Sequence, residues 1–338
     1  MSTVKSPDYR IIQAVHDVEY VRMETAHCLV RGLFRSLQRG ERKRAKTDIL
    51  YRFNKAETLR FIGFEPLGAD DLRVFQGIVA FAGLEGASVG AEPEGKREAE
   101  LRRQLNIDAR ERESEPEGRD KRLECPDVTA AQIRRIVAKW PNPIPAGAIL
   151  AVAIPFSRFL REVGLAHSGE NIATVKSCLT RMANISAVFT RRVIVGGRSR
   201  EQMLATQLIA SMWDGVTGRM CVAINPRLAA AVLGELPYRE IDMNEVRAIK
   251  SEPLRIVHAW LCGWIDPAKP RKVTIDKLCS IVWPSAASDD AWRQRRKTMR
   301  EALGELQSIG WLIGEYARGK YEIQRPRRQL ALPFKAAP

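Results

Sequence analysis

"DDAWRQRRKTMREALGELQSIGWL", residues 289–312, places five cations within eight positions and then becomes apolar. At about 100° per residue of an α-helix, the two kinds of side chain separate onto neighbouring arcs. The apolar arc carries Trp292, Met299, Ala302, Leu303, Leu306 and Ile309. The cationic arc carries Arg293, Arg296, Lys297 and Arg300, whereas Arg295 projects toward the apolar side. The stretch predicts a helix that packs on one side and is cationic on the other. A merely solvated surface helix is the alternative interpretation.

The segments around this helix predict a winged helix. Residues 244–265 have helical periodicity, and Pro253 within them predicts a kink or a split into two helices. A short strand, a helix at 276–283 and two strands at 311–316 and 320–323 complete the order helix, strand, helix, helix, hairpin. In a winged helix the third helix enters the major groove and the hairpin, or wing, lies on the DNA backbone. The cationic helix is therefore in the recognition position, with Arg318 and Lys320 at the tip of the wing.

A similar order of elements is predicted earlier in the chain. The order is a helix at 68–84, a strand at 149–154, helices at 155–165 and 168–185, and a β-rich run at 185–195. On the helix that ends near 185, one polar face suits contacts with base edges and phosphates. That face carries Lys176, Ser177, Thr180 and Arg181. We therefore predict an α+β fold of two tandem winged-helix domains, the first enlarged by extra strands and a charged insertion.

Composition changes along the chain predict the boundaries of these domains. We expect an N-terminal extension and basic arm over 1–45, the first domain over 46–240, the second over 241–325 and a flexible tail over 326–338. The insertion 91–124 is dense in both charge signs and nearly lacks apolar residues, so we expect it to be disordered. The basic arm carries Arg39, Arg42, Lys43 and Arg44. These cations either lie along phosphates or remain solvated, and charge density alone does not decide between the two.

The overall charge indicates a polyanionic partner. The 338 residues carry a formal net charge of +15, which suits nucleic acid or an anionic membrane surface. No apolar run approaches the roughly 18 residues of a membrane span, and the first residues lack the apolar core of a signal peptide. We therefore expect a soluble cytoplasmic protein that does not act at a membrane.

The sequence predicts no metal, no cofactor and no catalytic site. The six cysteines show no Cys-x-x-Cys pair; His258 and Cys262 lie one helical turn apart, but core packing explains them better than a metal does. The segment "GEYARGKY" (314–321) has the glycine and lysine spacing of a phosphate-binding loop. Tyr321, however, replaces the required Ser or Thr, and a strand follows instead of a helix, so we interpret the glycines as turn residues.

Several long motifs resemble one protein family. They are "AHCLVRGLFRSLQRGERKR" (26–44), "EPLGADDLRVFQGIVAFAG" (65–83), "LCGWIDP" (261–267), "VWPSAAS" (282–288), "RKTMREALGEL" (296–306) and "GKYEIQRP" (319–326). In these the chain resembles the replication initiators of IncQ-type plasmids, the replication protein C family. The resemblance covers most of 26–326. Residues 1–25, the insertion 91–124 and the tail beyond 326 depart from the family pattern, which leaves their function open.

The resemblance implies a function for the fold. It implies that tandem winged helices bind double-stranded DNA at directly repeated origin sequences, called iterons, and distort the adjacent AT-rich DNA. A separate replicative helicase is then loaded. It also implies that such initiators exchange between monomer and homodimer, a point on which the residues themselves are silent. A tandem winged-helix transcription regulator remains the alternative, because only the target DNA separates the two. A nuclease or primase is a third, and it would need metal ligands that the sequence does not show.

The tail contains a second, shorter resemblance. Gln329, Leu330, Leu332 and Phe334 lie in "QLALPF", which is similar to the peptide by which bacterial replication proteins bind the DNA polymerase sliding clamp. An extended apolar peptide with one polar anchor suits a hydrophobic groove. The alternative is an unstructured end that happens to contain leucine and phenylalanine.

Overall fold

The computed structural model describes residues 16–37, 40–85, 87–89 and 149–327 of a mixed α and β fold. The helices are α1 Thr25–Leu29, α2 Ala69–Glu85, α3 Phe156–Glu162, α4 Gly169–Ala183, α5 Pro226–Val232, α6 Met243–Ala248, α7 Glu252–Trp264, α8 Ile275–Val282 and α9 Asp289–Ser308, with a 3-10 turn at Glu41–Lys43. The strands are β1 Tyr20–Glu24, β2 Thr47–Arg52, β3 Glu57–Gly63, β4 Ala87–Val89, β5 Ile149–Pro155, β6 Ile185–Val195, β7 Arg198–Gln207, β8 Ile209–Asp214, β9 Arg219–Ile224, β10 Tyr238–Asp242, β11 Pro270–Thr274, β12 Leu312–Ala317 and β13 Lys320–Gln324. The predicted insertion 91–124, Arg39 and the four tail residues proposed for the clamp fall outside the described residues.

The strands form four antiparallel sheets. Their orders are β1-β10, β11-β13-β12, β2-β3-β6-β7 and β4-β5-β9-β8. Helix α2 contacts strands β1, β5 and β9, helix α7 contacts α2 and β10, and the apolar side chains of both helices join a single contiguous core. Arg255 of α7 meets Asp70 of α2 at 3.1 Å, and Arg73 of α2 donates to the carbonyl of Ile249, at the end of α6, at 3.2 Å.

Two groups of elements within this fold share the same pairing of strands. The first unit consists of α2, β5, α3, α4, β8 and β9, and the second unit consists of α7, β11, α8, α9, β12 and β13. In each unit the first strand pairs with the last, which gives the orders β5-β9-β8 and β11-β13-β12. The β6–β7 hairpin is inserted between α4 and β8 and joins β2 and β3 in a different sheet. This corrects the sequence analysis, which matched the run 185–195 to the final strand of the repeat.

The two units also match at single atoms. In both units the backbone N–H of the first residue of the second helix donates to the carbonyl of the glycine in the hairpin turn. Phe156 donates to Gly218 at 3.0 Å, and Ile275 donates to Gly319 at 2.9 Å. Both glycines have positive φ, 64° and 70°, which a residue without Cβ adopts at low cost. Because the bond ties each hairpin turn to the start of the second helix, the turn lies beside the helix pair in both units.

The capping of the third helix also matches. Ser168 caps α4 by accepting from the N–H of Asn171 at 3.2 Å, and Ser288 caps α9 by accepting from Ala291 at 3.3 Å. Counting from the two serines, positions 176, 177 and 180 of α4 correspond to 296, 297 and 300 of α9.

Pro253 has the predicted effect on the helical stretch 244–265. The stretch is split into α6 and α7, and Pro253 lies in the first turn of α7, where its missing N–H leaves no helical bond unmade. The prediction of a kink or split is confirmed.

Residues 16–37 belong to the core and are not a separate extension. Strand β1 pairs along its whole length with β10, from Tyr20 opposite Asp242 to Glu24 opposite Tyr238. Val21, Met23, Ala26 and Leu33 are buried in the contiguous core. The sequence analysis placed this segment in the extension because a strand of five residues and a helix of five are too short to show a clear period.

Candidate nucleic-acid interface

Helix α9 presents its cations on the side away from the core. Met299, Ala302 and Leu303 are buried, whereas Lys297 and Arg300 are exposed. The side chain of Arg293 is 78% exposed, and it touches Asp290 one turn earlier at 3.1 Å. A pair this exposed contributes little to stability. These guanidinium and ammonium groups are therefore accessible to a polyanion.

Arg296 is partly held by the neighbouring helix. Its Nε donates to Asp276 of α8 at 2.5 Å and its Nη2 donates to the other carboxylate oxygen at 3.1 Å, while the guanidinium lies 5.6 Å from the ring centre of Trp292. The bonds from Arg296 lower the pKa of the Asp276 carboxyl. Because Asp276 itself is half exposed, this pair is screened by water and fixes the direction of Arg296 more than it adds stability.

Arg295 packs against aromatic rings, as its position on the helix predicted. It lies 5.9 Å from the ring of Trp283 and 5.6 Å from the ring of Trp292, and donates to the carbonyl of Ser285 at 2.9 Å. It is therefore occupied within the fold.

Helix α4 presents a less charged polar face. Lys176 is half buried, with its ammonium 5.5 Å from the ring centre of Phe156 and 6.0 Å from that of Trp213. Ser177 and Thr180 are exposed, and the Thr180 hydroxyl donates to the carbonyl of Lys176 at 3.0 Å. That bond leaves the lone pairs of the Thr180 oxygen available as acceptors.

Arg181 and Arg42, both predicted to contact DNA, are paired with one buried carboxylate and are not free side chains. Asp71 of α2 has no exposed surface and accepts from Arg181 Nε at 2.9 Å, Arg42 Nη1 at 3.0 Å and the N–H of Gly68 at 2.7 Å. Burial opposes the charge of Arg181, but Asp71 and Cys178 raise the pKa of its guanidinium. Sequence periodicity missed this because Arg181 lies at the margin of the apolar face, where a tertiary partner decides its direction.

The rest of the basic arm is partly exposed. Lys43 and Arg44 are exposed at the end of the 3-10 turn, while Arg42 also donates to the carbonyl of Pro66 at 3.2 Å. The arm is thus anchored on α2 through Arg42, and its other two described cations face solvent.

The hairpin turns of the two units differ in character. In the second unit Arg318 and Lys320 are exposed beside Gly319, whose N–H donates to Glu315 at 2.6 Å. In the first unit Asp214 accepts from the N–H of Val216 at 2.8 Å, and the Val216 side chain is 96% exposed. One turn is therefore cationic and the other carries an apolar tip.

One exposed cation of the first unit was missed by sequence reasoning. Arg219 pairs with Pro155 in β5 as Lys320 pairs with Thr274 in β11, so Arg219 is the counterpart of Lys320. The turn before Arg219 was visible in the sequence. The strand register that makes the two positions equivalent was not.

The segment 314–321 is not a phosphate-binding loop. It runs through β12, the Arg318–Gly319 turn and the start of β13, where Tyr321 is paired with both Glu315 and Val273. Gly319 is a turn residue as expected, whereas Gly314 lies inside β12.

Within the described residues, one group of three side chains brings possible metal ligands together. Glu245, His258 and Cys262 place their ligand atoms within 4.8 Å of one another. The group is accounted for as a buried ion pair, since His258 Nε2 lies 2.7 Å from Glu245. Burial opposes the charge on the imidazole, but Cys262 and Glu245 raise the pKa of His258 to about 10. Three ligands are one fewer than a closed structural zinc site uses.

Comparison with known proteins identifies the family. The sequence model of the replication protein C family matches residues 15–113 and 124–327. The chain therefore belongs to the replication protein C family, and the resemblance seen in the sequence is confirmed. Membership supports a role as a plasmid replication initiator, a class of protein that generally binds DNA and is not catalytic.

Similarity outside the family is weaker. No curated protein matches the chain. A selenomethionine structure of domains 2 and 3 of RctB is similar at 8% identity with a TM-score of 0.49, covering 90% of this chain and 99% of that one. A second structure, RctB domains 2–3 (RctB-155-483), is similar at 7% identity with a TM-score of 0.44, covering 83% and 91%. No helix in the described part of the chain is both long and apolar enough to cross a bilayer.

Proposed function

We propose that the chain initiates plasmid replication by binding double-stranded DNA through two winged-helix domains, residues 46–240 and 241–325. The observation that carries this is the match between the two units. They share a strand order, a hydrogen bond from the second helix to the hairpin glycine, and a serine-capped third helix with a polar outer side. In this arrangement α4 and α9 are the groove-reading helices, and the β8–β9 and β12–β13 hairpins are the wings.

The polar side chains divide between reading and positioning roles. On α9, Arg293, Lys297 and Arg300 face outward, and Arg296 is held in a fixed direction by Asp276. The contacts proposed on α4 and the wings come from Lys176, Ser177, Thr180, Arg219, Arg318 and Lys320, with Lys43 and Arg44 of the arm on phosphates. Arg42 and Arg181 act indirectly, because both are bonded to Asp71.

Two different reading helices on one chain suit directly repeated sites. A two-fold symmetric dimer of identical helices suits a palindrome, whereas α4 and α9 carry different side chains and would read an asymmetric sequence. Iteron binding followed by distortion of adjacent AT-rich DNA is therefore the function we propose. Bending a site costs about 1–6 kcal/mol, which additional protein–DNA contacts offset without ATP. A replicative helicase would then be loaded on the opened strand.

The test is hydroxyl-radical footprinting on the origin of the plasmid that encodes the chain. Lys297→Ala/Arg300→Ala should lose protection over one half of each repeat, and Lys176→Ala over the other half. Lys250→Ala/Lys269→Ala is the matched control. It removes two positive charges, as the α9 double variant does, from exposed positions. Lys269 lies just before β11, at the end of that strand farthest from the Arg318–Gly319 turn.

The outcomes separate the proposal from its alternatives. Unchanged protection with the α9 double variant would contradict the assignment of the reading helix. Protection of a promoter, with no permanganate-reactive AT-rich DNA beside it, would indicate a transcription regulator. Metal-dependent nicking of supercoiled origin DNA would indicate an enzyme.

Clamp binding by the tail remains a separate proposal. Gln329, Leu330, Leu332 and Phe334 supply one polar anchor and three apolar side chains, a combination that suits a hydrophobic groove. A pull-down with the sliding clamp should capture the wild-type chain but not Leu332→Ala/Phe334→Ala. Equal capture of both would remove the proposal.

A further inference from the structure

The β6–β7 hairpin extends beyond the sheet to which it belongs. Strand β3 pairs with β6 as far as Arg191, and the N–H of Arg192 makes a last contact with the carbonyl of Ala56 at 2.8 Å. The pairing of β6 with β7 continues without a third strand from Arg192 opposite Glu201 to Val195 opposite Arg198. We call residues 192–201 the ribbon. Its four residue pairs project about 14 Å past the sheet.

The ribbon is basic and exposed. Arg192, Arg198 and Arg200 all face solvent, and Glu201 is the one acidic residue between 192 and 201. Ile194, near the tip, is 80% exposed. Among the ion pairs of the described residues, none engages the three arginines.

The two faces of the ribbon carry different side chains. The pairing places Val193 and Val195 opposite Arg200 and Arg198, so these four share one face. This face continues the side of the sheet that covers the core at Ala187 and Phe189 but lies beyond the core. It therefore presents two partly exposed valines next to the exposed guanidinium groups of Arg198 and Arg200.

We propose that the ribbon is a third DNA-binding element, which places Arg198 and Arg200 on the phosphates that border a groove. The inference rests on the proposed function of α4. A two-stranded ribbon has the width that the major groove admits. The forked N–H groups of arginine match the oxygens of a phosphate. Lysine, which commonly protects an exposed strand edge from pairing with another chain, lacks this fork.

The connection to α4 fixes how far away this contact lies. Asn184 alone separates the end of α4 from the start of β6, and the 11 residues of β6 span about 37 Å. One turn of B-DNA is about 34–36 Å long. The tip of the ribbon therefore lies at most about 37 Å from the end of α4, which limits its DNA contact to about one turn from the site that α4 reads.

The experiment measures the salt dependence of binding to a 40-base-pair duplex of mixed sequence by fluorescence anisotropy. Losing two phosphate contacts should reduce the slope of log K against log salt by about 1.8. The ratio of the binding constant of the wild type to that of Arg198→Ala/Arg200→Ala should accordingly be about tenfold greater at 50 mM salt than at 200 mM. Arg198→Lys/Arg200→Lys keeps the charge and should restore the slope.

Arg52→Ala/Lys55→Ala is the matched control, because it removes the same charge from the β2–β3 turn at the base of the ribbon. It should keep the wild-type slope. Footprints of the full chain should show that Arg198→Ala/Arg200→Ala loses protection only within about one turn of the α4 site and keeps it elsewhere. A wild-type slope and footprint for this variant would overturn the inference and leave the proposed function intact. Loss of helicase recruitment with unchanged DNA binding would also overturn it, and would assign the ribbon to a protein partner. Failure of the wild type to bind duplex DNA would overturn both.

Discussion

Replacing Asp71 with asparagine should destabilise the fold far more than the same change at its neighbour Asp70. The Asp71 carboxylate has no exposed surface and accepts three hydrogen bonds, two of them from Arg181 and Arg42. Asparagine keeps the shape and one acceptor, which can still serve the N–H of Gly68. It removes the negative charge and points an amide N–H₂ group toward a guanidinium.

The size of the loss follows from the burial of the partners. Breaking a buried ion pair by removing one partner costs about 3–5 kcal/mol. Arg181 is 18% exposed and Arg42 is 33% exposed, so water recovers part of their solvation, and the lower end of this range, about 3 kcal/mol, is expected. At about 2–4 °C per kcal/mol, Tm should fall by about 6–12 °C.

The assay is urea unfolding followed by circular dichroism, with Asp70→Asn as control. Asp70 is 60% exposed and meets Arg255 at 3.1 Å, so its loss should cost about 1 kcal/mol or less. Equal losses for the two variants, or a loss under about 1 kcal/mol for Asp71→Asn, would refute the reasoning that one carboxylate joins the arm, α2 and α4.

Three further predictions concern stability. His258, whose folded pKa is raised to about 10 by Cys262 and Glu245, adds stability that is complete below about pH 6.5 and lost as the pH rises toward 10. His258→Gln should flatten that part of the stability–pH curve measured by urea unfolding, and an unchanged slope would contradict this. Gly263→Ala should cost about 1–3 kcal/mol because the added Cβ would lie 2.5 Å from Cys28 Cβ. Gly304→Ala, which meets nothing within 4 Å on exposed α9, should instead gain about 0.4–1 kcal/mol, so opposite shifts in Tm are expected. Ser288→Ala should cost about 1 kcal/mol by removing the α9 cap, and an unaltered Tm would show that the cap is dispensable.

Periodicity and turn residues predicted the local elements well. The helix at 289–308 begins at the acidic turn and ends before Gly310, and the helical stretch broken at Pro253 is split as expected. These features depend on side chains within one or two turns of each other, which a sequence displays directly.

Strand pairing and the direction of boundary side chains were not predictable in the same way. The equivalence of β8–β9 with β12–β13 depends on β5 pairing with β9 across more than 60 residues, and the adjacent run 185–195 has the stronger β composition. Arg42 and Arg181 lie among residues typical of a protein surface, but both donate to Asp71, which is distant from them in sequence. Arg219 was missed for the same reason, since only the register makes it the counterpart of Lys320.

The pairing of β1 with β10 has a consequence for how the chain folds during synthesis. The backbone groups of residues 20–24 cannot form their strand pairing until residues 238–242 have been synthesised. Because this strand covers α2 and contributes buried side chains such as Val21 and Met23, the earlier part of the chain leaves the ribosome with an open core. The core around α2 can therefore close only after the chain up to residue 242 has been translated.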